Sequence, residues 1–507
     1  MAFPVGAARA ALLAAARGDR PCDLVLKNAR LVNVASGEVH GTDVGVFDGR
    51  VAAVHAGVRG REEVDLSGRF LCPGLIDAHV HVESSMLPPS EFARAVLPLG
   101  VTAVVTDPHE IANVAGVEGV RFMLEDARRS PLAMFVNAPS CVPATPLSTG
   151  GAALSAADLA PLLAEPEVLG LAEMMNFPGA VAGDASVAAK LDAFAGRVLD
   201  GHAPGLTGRA LGAYAAAGIR SDHECTTVEE AREKLRLGMT VFLRDATNAR
   251  NLKDLLPLVT PANERRLCLC TDDRQVPDLV NEGSVDHMVR ACIAGGVDPV
   301  AAIRMATLNT ATHFRLFDRG MVAPGCVADL VVFADLRAPR AERVYAAGSL
   351  VARDGAMAAP RAPAPPRCTG TVKVDWSRTD LSIPASGARV RVIGVVPDQL
   401  VTRHETADAR VESGRAVADP ARDLLKMAVI ERHRATGRAG LGFVRGLGLE
   451  RGALASTVAH DHHNLVVVGA DDRSMLAAAR ALEATGGGLA AADGDRVLAV
   501  LPLPIAG

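Results

Sequence analysis

Aromatic side chains are scarce in this chain of 507 residues, which has one Trp, two Tyr and 13 Phe. Proteins that hold single-stranded nucleic acid stack its bases on aromatic rings, so the scarcity argues against that class. An excess of positive charge is also missing, because 53 Lys and Arg stand against 58 Asp and Glu for a net charge of -5. A mildly acidic chain has no electrostatic reason to bind a phosphate backbone. We therefore expect no nucleic-acid partner.

Long apolar runs and a disulfide pattern are missing as well. No window of 18 or more apolar residues is free of charge, which argues against a transmembrane helix and a membrane partner. The apolar stretch Ala10–Ala16 is short and flanked by arginines, which predicts an amphipathic helix rather than a signal peptide. The nine cysteines are odd in number and scattered, which argues against a framework of disulfide bonds. Cys268 and Cys270 lie in an apolar run, which predicts that they are buried in a core. These features favour the reducing cytoplasm.

Strand and helix patterns alternate through the middle of the chain. From residue 74 onward, eight apolar runs end in polar residues, and several of them precede helix patterns. The runs are GLIDAHVHV (74–82), VTAVVTDPHE (101–110), AMFVNAPS (133–140), VLGLAEMMN (168–176), RVLDGHAPG (197–205), IRSDHE (219–224), MTVFLRDA (239–246) and RRLCLCTDD (265–273). Eight such units over roughly 245 residues are typical of a (β/α)8 barrel, whose chemistry lies at the carboxyl ends of its strands.

The segments on either side of this barrel have strand character. Short strands with turn residues fill 22–72, and strand patterns return over 320–353, so we expect the two segments to pair. A Pro/Ala linker follows, and then an α+β region with a helix predicted around Asp423–Arg434. The glycines of 440–452 lack dinucleotide-binding spacing, which predicts tight turns.

The fold class predicted is thus α/β: a (β/α)8 metal-dependent hydrolase barrel with a composite β-sandwich domain and a C-terminal α+β domain. The predicted boundaries are 1–72 for the N-terminal helix and first part of the β-sandwich, 73–319 for the barrel, 320–356 for the second part, 357–367 for the linker and 368–507 for the last domain.

Potential metal ligands gather at the predicted strand ends. His79 and His81 are two residues apart on a strand, so both imidazoles point to one face. Later runs end in four more such residues, Glu173, His202, His223 and Asp272. Histidine with carboxylate suits Zn, Mn or Fe. Six ligands exceed what one tetrahedral ion takes, which indicates two ions bridged by a carboxylate.

Longer motifs resemble a known family. The chain carries PGLIDAHVHVESSM (73–86), TDPHEIANV (106–114), EMMNFPG (173–179), DGHAPG (200–205), SDHE (221–224), LCTDDR (269–274), MATLNTA (305–311), GLGFVRG (440–446) and TVAHDHHN (457–464). Together they resemble the amidohydrolase superfamily and, more closely, its bacterial-type adenine deaminases. The sequence departs from that family at His462, where a small residue is expected, and in ending at LPLPIAG, where family members usually continue further.

The resemblance implies a role for each metal-binding residue. His79 and His81 would bind one divalent ion, and His202 and His223 the other. Glu173 would bridge the two, in the position where many relatives use a carboxylated lysine. Asp272 would ligate a metal and handle protons. The family implies two divalent ions, Mn²⁺ first, with Fe²⁺ or Zn²⁺ as alternatives.

Other polar residues near the same strand ends are candidates for contact with the substrate. Asp107, His109 and Glu110 follow the second run, and we expect them to face the substrate rather than only to cap the next helix. Glu83 and Ser84 follow the H-x-H, where substrate contact and simple loop polarity are equally good readings. Asp273 is expected to be structural or to hydrogen-bond a metal ligand. Because two aspartates stand side by side, the sequence leaves open whether Asp272 or Asp273 is the ligand itself.

The remaining histidines are expected to be ordinary. His287 and His313 lie on helix patterns and should be packed or at the surface. The group His460, His462 and His463 could bind a metal, but a turn that places its ring nitrogens on backbone groups is the better reading.

The leading hypothesis is hydrolysis of adenine to hypoxanthine and ammonia, a purine salvage reaction. Two ions would lower the pKa of a water to give hydroxide for attack at C6. Asp272 would move its proton to the leaving amino group, and Glu83, His109 or Glu110 would protonate the ring. The alternatives are another aminopurine deaminase, a cyclic-amide hydrolase or, least favoured, a non-catalytic scaffold. We expect a homo-oligomer.

Overall fold

A computed structural model describes residues 3–365, 368–397, 399 and 401–507. The chain divides into two compact units. The first contains Met1–Asp107, Met123–Ser140 and Ala156–Pro365, and the second contains Pro108–Phe122, Cys141–Ser155 and Pro366–Gly507. The last two residues of the predicted linker, 366 and 367, lie outside the described residues, and the predicted domain boundaries stay predictions. Within the described residues, no helix combines the length and apolar character needed to cross a membrane.

The first unit begins with a helix and five strands. They are α1 (Gly6–Ala16), β1 (Cys22–Asn33), β2 (Glu38–Phe47), β3 (Arg50–Val54), β4 (Gly60–Asp65) and β5 (Phe70–Pro73). The predicted N-terminal helix is therefore present, although its exposed side is largely apolar, with Leu13 50% exposed. Its buried Leu12 and Ala15 pack with Val25 and Phe47 of the first strands, which is why this short helix is held in place.

Eight further strands form the barrel. They are β6 (Leu75–Val80), β7 (Val101–Thr106), β8 (Ala133–Ala138), β9 (Val168–Met174), β10 (Val198–Gly201), β11 (Ser221–Asp222), β12 (Thr240–Arg244) and β13 (Leu267–Cys270). Each lies in one of the eight runs found in the sequence. Parallel pairing gives two arcs, β6 to β10 and β11 to β13.

Side-chain and backbone hydrogen bonds join the two arcs. Asp272 N–H donates to the carbonyl of His79 at 2.9 Å, and Thr271 Oγ1 donates to Asp77 at 2.5 Å, which closes β13 on β6. Between β10 and β11, Ser221 donates to the Asp200 carboxylate. The barrel is therefore closed, as predicted, and Cys268 and Cys270 are fully buried in its interior.

Helices and short helical turns connect these strands. The helices are α2 (Pro89–Val96), α3 (His109–Ala127), α4 (Ala156–Leu159), α5 (Phe177–Ala182), α6 (Ala185–Ala193), α7 (Gly208–Ala216), α8 (Val228–Arg236), α9 (Leu252–Leu255), α10 (Val276–Asn281), α11 (Val285–Ala294), α12 (Pro299–Met305) and α13 (Leu308–His313). The 3₁₀ turns are Val82–Ser85, Leu97–Leu99, Ala160–Ala164, Leu256–Leu258 and Glu264–Arg266. Helix α3 is interrupted at Gly116, where φ is 63°.

Four strands after the barrel complete the N-terminal sheet. They are β14 (Leu330–Phe333), β15 (Arg343–Ala346), β16 (Ser349–Arg353) and β17 (Ala356–Met357). Strand β14 pairs antiparallel with β5, so the two segments share one sheet of nine strands. A bridge between Arg50 in β3 and Val327, just before β14, folds this sheet back on itself. The composite β-sandwich domain is thus confirmed.

The second unit is built around an eight-stranded sheet. The strands of this unit, in both its large and its small sheet, are β18 (Ile383–Pro384), β19 (Arg389–Gly394), β20 (Arg403–Asp408), β21 (Arg410–Glu412), β22 (Arg415–Val417), β23 (Leu425–Ile430), β24 (Ala439–Arg445), β25 (Ala453–Ser456), β26 (Leu465–Gly469), β27 (Gly488–Asp493) and β28 (Arg496–Pro502). The large sheet has the order β20-β19-β24-β23-β26-β25-β27-β28, and β18, β22 and β21 form a small one. Helix α14 (Asp472–Thr485) packs its Met475, Ala478 and Leu482 against the large sheet, and a 3₁₀ turn spans Pro420–Arg422.

The helix predicted around Asp423–Arg434 was wrong, because β23 occupies the middle of that segment. Leu, Lys, Met and Ala favour helices weakly, and tertiary contacts override such a preference. Here β23 pairs with both β24 and β26, and alternate residues Ala428 and Ile430 enter the core. The tight turns predicted for the glycine-rich segment are present at Gly446 and Gly448, which have positive φ and donate their N–H groups to the Asp423 carboxylate. The prediction was wrong for Gly440 and Gly442, which pair within β24.

Candidate functional site

The two histidines of the H-x-H motif lie side by side at the carboxyl end of β6. Both are buried, and their Nε2 atoms are 3.0 Å apart. His81 Nδ1 lies 2.9 Å from the carbonyl oxygen of Asp107. A carbonyl only accepts, so Nδ1 carries a proton, and Nε2 is the ring nitrogen that faces the carboxylates of Glu173 and Asp272. This hydrogen bond presents the nitrogen that a metal would need.

Glu173, near the end of β9, faces two pairs of histidines with its two oxygens. Its Oε1 lies 3.2 Å from His81 Nε2 and 3.6 Å from His79 Nε2. Its Oε2 lies 2.5 Å from His202 Nδ1 and 3.2 Å from His223 Nε2. Burial opposes ionisation of Glu173, but His202 and His223 outweigh it and hold the pKa of the carboxyl well below its usual range. One ionised carboxylate therefore lies between the two pairs.

Asp272 also faces the H-x-H pair. Its Oδ1 lies 3.1 Å from His81 Nε2 and 3.6 Å from His79 Nε2. Arg244 Nη1 donates to its Oδ2 at 3.1 Å. Burial opposes ionisation, but the hydrogen bond with His81 and the charge of Arg244 outweigh it and hold the pKa of Asp272 well below its usual range. Asp272 is thus an ionised carboxylate held at both oxygens.

The chemistry of this donor set fits divalent cations. Four imidazoles and two carboxylates converge; five of the six side chains are buried, and the side chain of His202 is 22% exposed. His223 is buried, and neither of its ring nitrogens forms a hydrogen bond with the described residues, although Nε2 lies 3.2 Å from Glu173 Oε2. Buried polar atoms are rarely left so, and such exceptions indicate an unseen ion or water. All six predicted ligands are therefore brought together in a cluster that suits a metal centre.

Two residues of this site were missed by the sequence reasoning. Glu224 follows His223, and its Oε1 lies 3.6 Å from His223 Nε2 and 3.7 Å from His202 Nδ1. The buried guanidinium of Arg244 donates to both Glu224 and Asp272. Both residues end predicted strands, so the strand-end rule that found the histidines would have found them too.

A buried lysine supports the second histidine pair. Lys234 of α8 is fully buried, and its Nζ donates to Asp222 Oδ2 at 3.0 Å, to Glu230 Oε1 at 2.7 Å and to the carbonyl of Ala203 at 2.8 Å. Asp222 also accepts from Ala203 N–H at 2.6 Å. Asp222 precedes His223 and Ala203 follows His202, so this network fixes the backbone beside both imidazoles.

The residues proposed for substrate contact fall into two groups. In the first unit, Ser84 Oγ donates to Asp273 Oδ1 at 2.5 Å, so these two side chains meet. Glu83 shares the 3₁₀ turn of Ser84, and Asp107 is buried just beyond β7. His109 and Glu110 open α3 and belong to the second unit.

Within the second unit, Glu110 binds two histidines from the far end of the chain. Its Oε1 lies 2.8 Å from His460 Nδ1 and its Oε2 lies 2.9 Å from His463 Nε2. His463 Nδ1 accepts from Ala459 N–H, so His463 Nε2 carries the proton and donates to Glu110. Burial opposes ionisation of Glu110, but His460 and His463 outweigh it and hold its pKa well below the usual range.

The predicted backbone turn is therefore only part of the role of this histidine group. His462 Nδ1 accepts from the N–H of Asn464, as that reading requires. The side-chain pairing of His460 and His463 with Glu110 was not foreseen. His109 Nε2 lies 3.5 Å from Asp461 Oδ1 in the same unit.

The two histidines on helix patterns lie apart from these groups. His313 packs edge-on against Phe242 and Phe314, with ring centroids 5.1 and 4.7 Å apart. His287 is 31% exposed and lies 3.7 Å from Asp245. Both are ordinary packed or surface residues, as predicted.

A closed parallel barrel with histidines and carboxylates at the carboxyl ends of its strands defines the class of metal-dependent hydrolases. Comparison with known families agrees. Residues 70–356 match the amidohydrolase family, and residues 399–507 match the adenine deaminase C-terminal domain. An adenine deaminase of Desulfatibacillum aliphaticivorans is 53% identical over 499 residues, which cover 98% of this chain and 88% of that protein. One of Methanothrix thermoacetophila is 48% identical, with 98% and 87% covered. The chain belongs to the adenine deaminases of the amidohydrolase family.

Solved structures share the fold. A crystal structure of an adenine deaminase has a TM-score of 0.50 at 17% identity, covering 65% of this chain and 99% of that one. An L-hydantoinase from Arthrobacter aurescens has a TM-score of 0.51 at 15% identity, with 67% and 98% covered. At this identity the likeness concerns the fold alone.

Proposed function

We propose that this chain hydrolyses adenine to hypoxanthine and ammonia with two divalent ions, and that the six clustered side chains hold them. The observation that carries the proposal is Glu173, whose two oxygens each face a different histidine pair. A carboxylate that bridges two ions must direct one oxygen to each ion, as Glu173 does. A carboxylate that binds a single ion has no need of this arrangement. Family membership supplies the reaction class.

The residues divide between two ion positions. His79, His81 and Asp272 would hold one ion, His202 and His223 the other, and Glu173 would bridge them. Glu224 is a further candidate at the second position because it faces the same two imidazoles. Imidazole and carboxylate donors suit Mn²⁺, with Fe²⁺ or Zn²⁺ as alternatives. When bound, such ions lower the pKa of water enough to supply hydroxide at neutral pH.

Asp272 moves the proton in this proposal. Its Oδ1 faces the H-x-H pair, while Oδ2 accepts a hydrogen bond from Arg244. The arginine keeps the carboxylate ionised and oriented, so Asp272 accepts the proton of the attacking water and passes it to the leaving amino group. Arg244 acts as a positioning residue because it binds Asp272 and Glu224 together.

Of the three candidates for protonating the purine ring, Glu110 is the one whose contacts argue against that role. Glu110 accepts hydrogen bonds from His460 and His463, and these contacts hold it ionised. An ionised carboxylate accepts a hydrogen bond rather than donates one. We therefore propose that His109 or Glu83, rather than Glu110, protonates the ring. Ser84, Asp107 and Asp273 are proposed to line the substrate site.

The cellular setting is proposed to be purine salvage in the cytoplasm. Eight of the nine cysteines are buried as free thiols, which suits a reducing compartment. A homo-oligomer is supported by exposed apolar residues on β25 and β28, where Leu454 and Leu501 are 55% and 49% exposed. Light scattering on the purified chain tests the oligomer.

The proposal is tested by metal content and adenine turnover on the same sample. We expect two ions per chain and release of hypoxanthine and ammonia. Adenosine, guanine and hydantoin are assayed in parallel by their ultraviolet spectra. Faster turnover of one of these than of adenine would overturn the substrate assignment, and a single ion per chain would overturn the bridging role of Glu173.

A further inference from the structure

A cleft opens at the amino ends of the barrel strands, opposite the end that carries the metal-binding residues. It has a volume of about 700 Å³. Small-molecule sites in proteins are commonly clefts of about 300–1,000 Å³. This cleft is therefore large enough for a small ligand, and no residue of the catalytic cluster lines it.

Five arginines and one histidine line this cleft. They are Arg197, Arg220, Arg265, Arg266, Arg315 and His313. Arg197 precedes β10, Arg220 precedes β11, and Arg266 precedes β13. The barrel thus brings together charges that are widely separated in the chain.

Negative side chains do little to neutralise these arginines. The other residues lining the cleft are Val, Leu, Gly, Thr and Asn, with no Asp or Glu among those described. Arg265 lies 3.2 Å from Glu264, but Arg304 also binds that carboxylate at 2.6 Å. The other four arginines form no salt bridge within the described part of the chain. A protein with a net charge of -5 therefore concentrates uncompensated positive charge in one cleft.

The charges of two of these arginines also act on the imidazole of His313. Burial lowers the pKa of its imidazole, and the charges of Arg266 and Arg315 lower it further, to about 4. Its Nδ1 is 3.2 Å from Thr240 Oγ1, while the buried Nε2 has no hydrogen-bond partner among the described residues. A neutral imidazole beside arginines leaves their charge available to an anion.

We propose that this cleft binds a small anion carrying several phosphates, such as inorganic triphosphate or a nucleoside triphosphate. Guanidinium groups bind phosphate oxygens through paired, charge-assisted hydrogen bonds. Five of them in one concave site exceed what a single phosphate requires and match a chain of phosphates. The cleft would recognise the chain of phosphates, which inorganic triphosphate and nucleoside triphosphates have in common.

A purely structural role for the arginines makes a different prediction. Arg197, Arg220 and Arg315 lie a few residues beyond the ends of α6, α7 and α13. Cations near helix carboxyl ends stabilise the helix dipole. If that is their whole role, their removal lowers thermal stability and changes no ligand binding.

The test is calorimetric titration of the full, metal-loaded chain at low salt with inorganic triphosphate and, separately, with ATP. We expect one triphosphate per chain, weaker binding of orthophosphate, and affinity that falls as salt screens the charges. The double variant Arg220→Ser/Arg266→Ser should weaken binding about tenfold or more, because a lost charged hydrogen bond commonly costs that factor. ATP binding as tightly as triphosphate would show that the phosphates carry recognition.

The control variant is Arg9→Ser/Arg209→Ser, which removes two exposed arginines of the same unit outside the cleft. It should bind as the parent does. Triphosphate also chelates divalent ions, so metal content is measured in every sample and loss of the active-site ions registers separately. The proposal is overturned if the parent does not bind, if the cleft variant binds as tightly as the control, or if that variant only melts earlier.

Discussion

Glu173 is the side chain shared by both halves of the metal cluster. Each of its oxygens lies within 3.2 Å of an imidazole nitrogen of a different pair. We predict that Glu173→Ala will not hold two ions, because no other side chain in the described part of the chain is seen to face both pairs in this way. Elemental analysis of the purified variant checks this prediction.

The variant Glu173→Lys extends the same test. Many relatives are expected to have a carboxylated lysine as the bridge, but the cluster here is built around a shorter side chain. We therefore expect no recovery of activity. Two tightly bound ions in the alanine variant would contradict the bridging role, whereas recovery by lysine would contradict only the geometric argument.

Asp272 and Asp273 are adjacent, but their contacts differ. Asp272 faces the histidine pair and Arg244, whereas Asp273 accepts from Ser84. Asparagine at 272 keeps the size but not the proton-accepting carboxylate. We predict that Asp272→Asn lowers kcat by about 10²–10⁴, the usual value of general acid–base catalysis, with a smaller change in KM.

The matched control is Asp273→Asn, which should be milder. Steady-state kinetics on adenine and metal content for both variants make the comparison. If Asp273→Asn were inactive and Asp272→Asn nearly normal, the proton shuttle would belong to Asp273, and the reaction class would stand.

Much of this site was predictable from residues at strand ends, and the exceptions have physical reasons. His79, His81, Glu173, His202 and His223 follow from the barrel rule, because parallel strands end at one face. Within the second unit, the separate pairing of Glu110 with His460 and His463 was not predictable, since some 350 residues separate the partners. Nothing in local spacing shows such a contact.

At the scale of single elements, helix α8 supports one side of the metal cluster through Lys234. Its ammonium group joins Asp222 and Ala203, which adjoin His223 and His202. We predict that Lys234→Met lowers stability by about 3–5 kcal/mol, the usual cost of leaving a buried charge unpaired. The ion held by His202 and His223 should be lost first, leaving about one per chain.

Lys253→Met, at an exposed lysine on α9, is the matched control and should keep both ions. Lys234→Arg retains the charge and should fold even where the methionine variant does not. Thermal melts and metal content are the measurements. Equal loss of both ions at unchanged stability would contradict a local role for Lys234.

Elements differ in how far their own sequence determines them. Helix α14 was predictable because Asp471 caps its start by accepting from Ser474 N–H at 2.8 Å, and because Gly486 ends it with positive φ. Strand β23 was not, since helix-forming residues there are held by hydrogen bonds to two neighbouring strands. Where pairing partners are distant in the chain, propensity is a weak guide.

At the scale of the whole molecule, the proposed metal ions should link activity to stability. All six proposed ligands belong to the first unit, and they come from strands that span the barrel from β6 to β13. Ions that bind only the folded barrel stabilise it by mass action, by about 4 kcal/mol each at a free concentration of 1,000 Kd. The two-unit chain need not melt in one step, so the metal-dependent transition is assigned to the first unit.

We therefore predict that chelation abolishes adenine turnover and lowers one melting transition, and that added Mn²⁺ restores both. Scanning calorimetry and activity on the same chelated and reloaded samples make the measurement. The Glu173→Ala variant is the control, because it should not hold both ions and its melt should respond less to chelation than that of the parent. Full turnover in a sample shown to contain no metal would overturn the proposed chemistry, whereas loss of turnover without any change in melting would show that the ions contribute to catalysis but little to folding.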